Sequence, residues 1–147
     1  MKKQFLRALF TLGIFFTLTA ISARAQGGDN FTVRIPFNFN VAGKTLPAGQ
    51  YIVRRNTTNP VGLEVQRKDG RAGVFVLTTE IRAVERQETS KLVFNRYGDQ
   101  YFLAQVWTSG RVSGHGLQKS RKERLAEREM AKSAASPQKV AVVGSQP

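Results

Sequence analysis

The chain has 147 residues, a formal net charge of +13, one histidine and no cysteine. The missing thiols exclude disulfides, thiolate metal centres, cysteine nucleophiles and any lipid anchor that needs a cysteine. A chain of this size is long enough for one core, which apolar burial and sheet hydrogen bonding must then hold together unaided.

Residues 1–25 read as a secretory leader. Met1 to Arg7 is a short cationic start, Ala8 to Ile21 is an apolar run, and Ser22-Ala23-Arg24-Ala25 is a small-x-small cleavage pattern. Cleavage after Ala25 is expected, delivering the remainder by the general secretory route to the periplasm or beyond the cell. The apolar run is shorter than the ~20 residues that span a bilayer, so the mature chain is expected to carry no transmembrane span. Lys2, Lys3, Arg7 and Arg24 leave with the leader, so 19 basic face 10 acidic residues, a net +9. Such a balance favours an anionic glycan or a lipid surface, and export argues against nucleic acid.

The segment 26–116 reads as a β-domain. From Phe31 to Phe39 apolar residues alternate with Thr32, Arg34, Pro36 and Asn38, the period of a half-buried strand. Pro36 cannot donate to a ladder and places this strand at an open edge or a bulge. Leu46-Pro47-Ala48-Gly49 is a turn into the strand 50–55, its glycine read as a positive-φ position and Tyr51 as the anchor. Asp69-Gly70 joins 62–67 to 72–78 as a hairpin. Within it Val74-Phe75-Val76-Leu77 is apolar on both faces, as a central strand would be. Residues 81–85 fit either a strand or one helical turn. A second hairpin joins 91–96 to 100–108 across Tyr97-Gly98-Asp99, with Tyr101, Leu103, Gln105 and Trp107 on one face. Six or seven strands at this spacing predict a mainly β fold, an antiparallel β-sandwich or partly open barrel.

Gly110 to Gly116 reads as a glycine-rich connector. Ser120 and Glu123 then form a capping box that opens a basic C-terminal helix within 117–135, whose Arg121, Arg124 and Arg128 recur on one face. Ser136-Pro137 ends it, and 136–147 is expected to be a disordered tail.

Chemistry is sparse. His115 lies near Ser109 and Ser113, with Asp99 the nearest turn carboxylate, but no nucleophile elbow accompanies them. One histidine without cysteine makes a poor zinc set. Asp29, Asp69 and Asp99 stand in separate turns and form no cation loop. Glu80, Glu85 and Glu88 alternate with Arg82 and Arg86 as a charge ladder does, although a carboxylate pair among them could serve glycoside chemistry. No catalytic residue, metal or cofactor is therefore assigned. Two binding candidates stand out. One is Arg96, Tyr97 and Tyr101 as an exposed aromatic and basic hairpin tip suited to a sugar or an anionic polymer. The other is the helix with Arg121, Arg124 and Arg128.

The strings Ile35-Pro36-Phe37-Asn38-Phe39-Asn40-Val41 and Leu46-Pro47-Ala48-Gly49-Gln50-Tyr51-Ile52-Val53 resemble a family of small exported bacterial β-proteins of unknown function. Leu92-Val93-Phe94-Asn95-Arg96-Tyr97-Gly98-Asp99 and Ser120-Arg121-Lys122-Glu123-Arg124 resemble its later segments. The Leu-Pro-Ala-Gly-x-Tyr piece is also similar to a turn-into-strand motif of prealbumin-like sandwich modules. The resemblance implies a β fold and export, with no activity attached. The expected function is a non-enzymatic exported domain that binds or scaffolds an envelope component, whether glycan, lipid surface or protein. The alternatives are a small secreted hydrolase and a structural accessory that pairs through the sheet edge near Pro36.

Overall fold

A computed structural model describes residues 30–146, so the leader read over 1–25 lies outside the described residues. The chain is mainly β, built on one nearly closed, barrel-like sheet. Strand β1 (Phe31–Ile35) pairs with β4 (Gly49–Arg55), β4 with β5 (Gly62–Arg67) and β5 with β6 (Gly73–Leu77). Thr78 bends the chain into β7 (Thr79–Arg82), which takes β10 (Ser113–Gly116) on its other side. From β10 the ladder runs through β9 (Gln100–Trp107), β8 (Lys91–Tyr97) and β11 (Gln138–Ser145) back to β1. Every one of these pairings is antiparallel. Among the described residues the circuit is incomplete only around Thr78, where β6 and β7 each keep one edge without a strand.

The small hairpin of β2 (Phe39–Val41) and β3 (Lys44–Leu46) lies beside β9 through the parallel pair Asn40↔Phe102. Its two-residue turn holds Ala42 at φ 49° and Gly43 at φ 83°. Inward side chains of the circuit fill the barrel, with Phe31, Ile35, Tyr51, Val65, Leu92 and Phe94 all essentially buried. Phe39 meets Tyr51 edge-on at 5.1 Å and Phe94 at 5.5 Å, spacings that suit the ring quadrupoles. Tyr51 donates its hydroxyl to the Pro47 carbonyl at 2.7 Å, pinning the proline turn to the strand that follows it.

Several expectations need correction. The sheet has eleven strands among the described residues rather than six or seven. The tail is not disordered: Gln138–Ser145 is β11, paired to β8 on one edge and β1 on the other. Pro36 does not mark an open edge, because β1 has a strand on both sides and ends before the proline. Conversely, Val74 to Leu77 belongs to β6, which among the described residues has only β5 beside it, with Phe75 and Leu77 exposed. Part of the glycine connector is β10, where Trp107 lies over the bare backbone of Gly114. Gly49 does not have positive φ; a Cβ there would sit 3.1 Å from Arg67 Nε. A register shift between Val93 and Phe94 leaves Ala104 of β9 unpaired. The bulge turns Val106 inward with Leu103 and turns Trp107 onto the outer face, against the simple alternation.

Candidate functional site

Helix α1 (Arg121–Lys132) crosses the outer face of β8. Ser120 caps it, its Oγ accepting the Glu123 backbone N–H at 3.2 Å. The reciprocal half of a capping box is missing. The Glu123 side chain instead turns into the sheet, 3% exposed, and its Oε1 accepts from Asn95 Nδ2 at 2.8 Å and from the Tyr97 hydroxyl at 3.3 Å. Lys122 Nζ reaches Asn40 Oδ1 at 2.8 Å and Thr45 Oγ1 at 3.1 Å, tying the helix to the β2–β3 hairpin. Hollows of about 430 and 470 Å³ flank the helix, and Tyr97 lines both. The helix is thus fastened by polar contacts rather than by a broad apolar seam.

With Glu123 turned inward, the opposite side of α1 is fixed. At about 100° per residue, Arg121, Arg124, Arg128 and Lys132 share an arc of about 80° on the side away from Glu123. All four are exposed. Lys132 pairs with Glu129 at 2.7 Å, while Arg121, Arg124 and Arg128 have no ion pair among the described residues. Leu125, 52% exposed, borders the stripe.

The hairpin tip is not the exposed platform expected of it. Tyr97 is 4% exposed and lies under α1, edge-on to Phe102 at 5.7 Å. Burial raises its hydroxyl pKa above the ordinary 10.0, and the Glu123 charge pushes the same way. Arg96 and Tyr101 are cross-strand partners on the other face, with the guanidinium 5.4 Å from the ring centroid. Phe37 stacks on that ring at 3.8 Å, and Arg96 Nε also donates to the Gly98 carbonyl at 2.8 Å. Both groups are engaged within the chain itself. Sequence position alone hid the division of this trio between two faces.

His115 stands opposite Glu80 on β7 and Val106 on β9. Seven residues separate Val106 from Asp99, about 23 Å along a strand, so Asp99 is no partner for it. Thr78 Oγ1 donates to the Val61 carbonyl at 2.7 Å and lies 2.9 Å from His115 Nδ1. Its single proton is thereby used, and Nδ1 of His115 is assigned as the donor to Thr78. His115, Ser113, Glu80, Arg55 and Arg111 line a hollow of about 130 Å³. Among the described residues no group of three or more metal-ligating side chains converges, and no helix is long and apolar enough to cross a membrane. No family model matches the chain, and neither curated proteins nor solved structures give a match.

Proposed function

We propose that this chain is a non-enzymatic, exported β-domain that binds an anionic surface of the cell envelope along the outer stripe of α1. The observation that carries this reading is the stripe itself: Arg121, Arg124, Arg128 and Lys132 gathered on the face opposite the buried Glu123. The polar fastening holds the helix in one orientation, so its cations are presented together. Leu125 beside them suits shallow contact with lipid, and the absence of other bulky exposed apolar residues on the helix limits insertion. A bilayer rich in anionic headgroups is the favoured surface, and cleavage after Ala25 is the route that brings the domain there.

The test is co-sedimentation with phosphatidylglycerol vesicles, phosphatidylcholine vesicles and an acidic glycan. Each cation near an anionic membrane contributes about 1 kcal/mol. The triple variant Arg121→Gln/Arg124→Gln/Arg128→Gln should therefore bind phosphatidylglycerol about a hundredfold more weakly, with a shallower salt dependence. Equal binding by parent and variant refutes the reading, and retention on the glycan alone moves the partner from lipid to polysaccharide.

A second reading, a small hydrolase, draws on the shared hollow of Ser113, His115 and Glu80. Turnover of nitrophenyl esters that disappears in His115→Ala would support it.

A further inference from the structure

Charged and polar side chains gather at the seam beside Thr78. His115 pairs with Val106, which is buried in the core, so the two share the inner face of the sheet. Ser113, two residues before His115, and Glu80, its partner on β7, fall on that face too. Arg55 arrives from the end of β4 and Arg111 from the loop between β9 and β10, and all five line one hollow of about 130 Å³. Three separate elements thus bring two guanidiniums, an imidazole and a hydroxyl to one small space. The chain itself positions two of them. Arg55 Nε donates to the Pro60 carbonyl at 3.2 Å, and His115 Nδ1 lies 2.9 Å from the Thr78 hydroxyl.

We propose that this hollow binds a phosphate group. Its volume is that of about four waters at ~30 Å³ each, room for a small ion and too little for a sugar ring. The arginines set the sign of that ion. Two guanidiniums stand against the single carboxylate of Glu80, which is itself paired with Arg82 at 3.2 Å, so the wall is net positive before His115 is counted. A guanidinium offers five N–H donors in a fork that fits phosphate oxygens, and one or two partners within the chain do not exhaust it. Direction separates phosphate from carboxylate. A carboxylate shows both oxygens on one side, whereas these donors come from β4, the β9–β10 loop and β10, and a tetrahedral oxyanion has an oxygen for each. The mouth of a β-barrel is a common place for such a site. Occupancy needs no turnover, so it stands apart from a hydrolytic role of the same hollow. It also stands apart from α1: the hollow lies at the Trp107 end of β9 and the helix at the Gln100 end, seven residues or about 23 Å away.

Isothermal titration calorimetry with inorganic phosphate, at an ionic strength held constant with sodium chloride, tests the site. One phosphate per chain should bind, acetate should bind at least about tenfold more weakly, and the His115 ring resonances should move with the same dissociation constant. Arg111→Lys keeps the charge, loses the fork and should weaken phosphate about tenfold. Arg55→Gln/Arg111→Gln should abolish binding, with melting curves showing the fold retained. Glu80→Gln removes the opposing charge and should tighten binding about threefold. Arg121→Gln/Arg124→Gln/Arg128→Gln should bind phosphate as the parent does, whatever its behaviour on vesicles. No heat from phosphate with the parent overturns the proposal. So does acetate bound equally well, a still His115 ring, or an affinity indifferent to Arg55→Gln/Arg111→Gln. Vesicles containing phosphatidic acid, offered to the variant lacking the three helix arginines, separate the two sources of the group. Capture that Arg55→Gln/Arg111→Gln removes assigns a lipid headgroup, and phosphate binding without capture assigns a free phosphate or soluble ester.

Discussion

The carboxylate of Glu123 on α1 accepts a hydrogen bond from the Asn95 amide on β8 at 2.8 Å, in a setting where only 3% of Glu123 is exposed. An acidic side chain is thus the most buried point of a helix whose outer side is basic. Glu123→Ala leaves Asn95 and the Tyr97 hydroxyl without their acceptor and takes away the contact that fastens α1. The expected cost is about 2–3 kcal/mol, the range for stranding buried partners of a charged group. Glu123→Gln keeps an acceptor oxygen and should cost about 1 kcal/mol. Urea titration of both variants checks the order, and equal losses would show that the charge, rather than the acceptor oxygen alone, carries the contact.

Tyr97 adds a pH dependence. Its hydroxyl and that of Tyr51 are both raised above 10.0, burial being the leading cause in each. Lys119 is also raised, chiefly by its hydrogen bond to Glu127. The unfolded chain therefore releases these protons first as pH climbs past 10, so stability falls with rising pH through that range. Melting temperatures measured from neutral to strongly alkaline pH should drop above pH 10. Tyr97→Phe should make that drop shallower while costing about 1 kcal/mol at neutral pH through the lost hydroxyl contact.

Residues 136–147 carry the prediction that separates a tail from a strand. Ending the chain at Ser133 removes β11 and leaves β1 and β8 with facing, unpaired edges in the middle of the sheet. The truncated chain should fail to melt cooperatively. Gly144→Ala is the subtler probe, since its Cβ would fall 2.5 Å from the Phe31 ring and 2.8 Å from the Thr32 carbonyl. A loss of about 1–3 kcal/mol is expected from such overpacking. Unchanged melting of both chains would contradict the observed closure.

Why β11 escaped a reading of the sequence is instructive. Its apolar content is the short run Val140 to Val143, followed by Gly144, Ser145 and Gln146, a composition suited to a loose terminus. Side-chain patterns report which faces of a strand are covered, while ladder position depends on backbone edges that every residue shares. β6 shows the converse, being apolar on both faces yet outermost. The alternation through β1 and the Asp69-Gly70 turn were legible because face and turn chemistry carry their own sequence signals. The hairpin tip was legible too, but only through its register. A two-residue Gly98-Asp99 turn pairs Tyr97 with Gln100 and Arg96 with Tyr101, which already separates Tyr97 from the other two. The inward turn of Glu123 had no such signal, because a capping-box glutamate normally folds back on its own helix.

Ala42 offers a gain rather than a loss. It sits at φ 49° in the two-residue turn between β2 and β3, a conformation that costs a residue with a Cβ about 1–2 kcal/mol. Asparagine tolerates that region and is the preferred partner of a following glycine in such turns. Ala42→Asn should stabilise the chain by about 0.5–1 kcal/mol, part of that cost. Thermal unfolding reads it directly, and a lower melting temperature would count against the turn's assignment.

Thr78 stands between β6 and β7, and its hydroxyl links Val61, just before β5, to His115 on β10. Its backbone N–H and its side chain both donate to the Val61 carbonyl, at 2.8 and 2.7 Å, while His115 Nδ1 approaches the Thr78 hydroxyl oxygen at 2.9 Å. Thr78→Val keeps the shape of the side chain and removes the oxygen. It costs the Val61 contact and takes away the acceptor that directs the imidazole proton to Nδ1, for a loss of about 1–3 kcal/mol. Thr78→Ser retains the hydroxyl and should lose less. Nitrogen NMR of the His115 ring supplies a readout that packing alone would not move. The Nδ1–H form should dominate in the parent and in Thr78→Ser, and the population should shift toward the Nε2–H form in Thr78→Val. A ring unchanged across all three would mean that Thr78 bends the strand without governing the histidine.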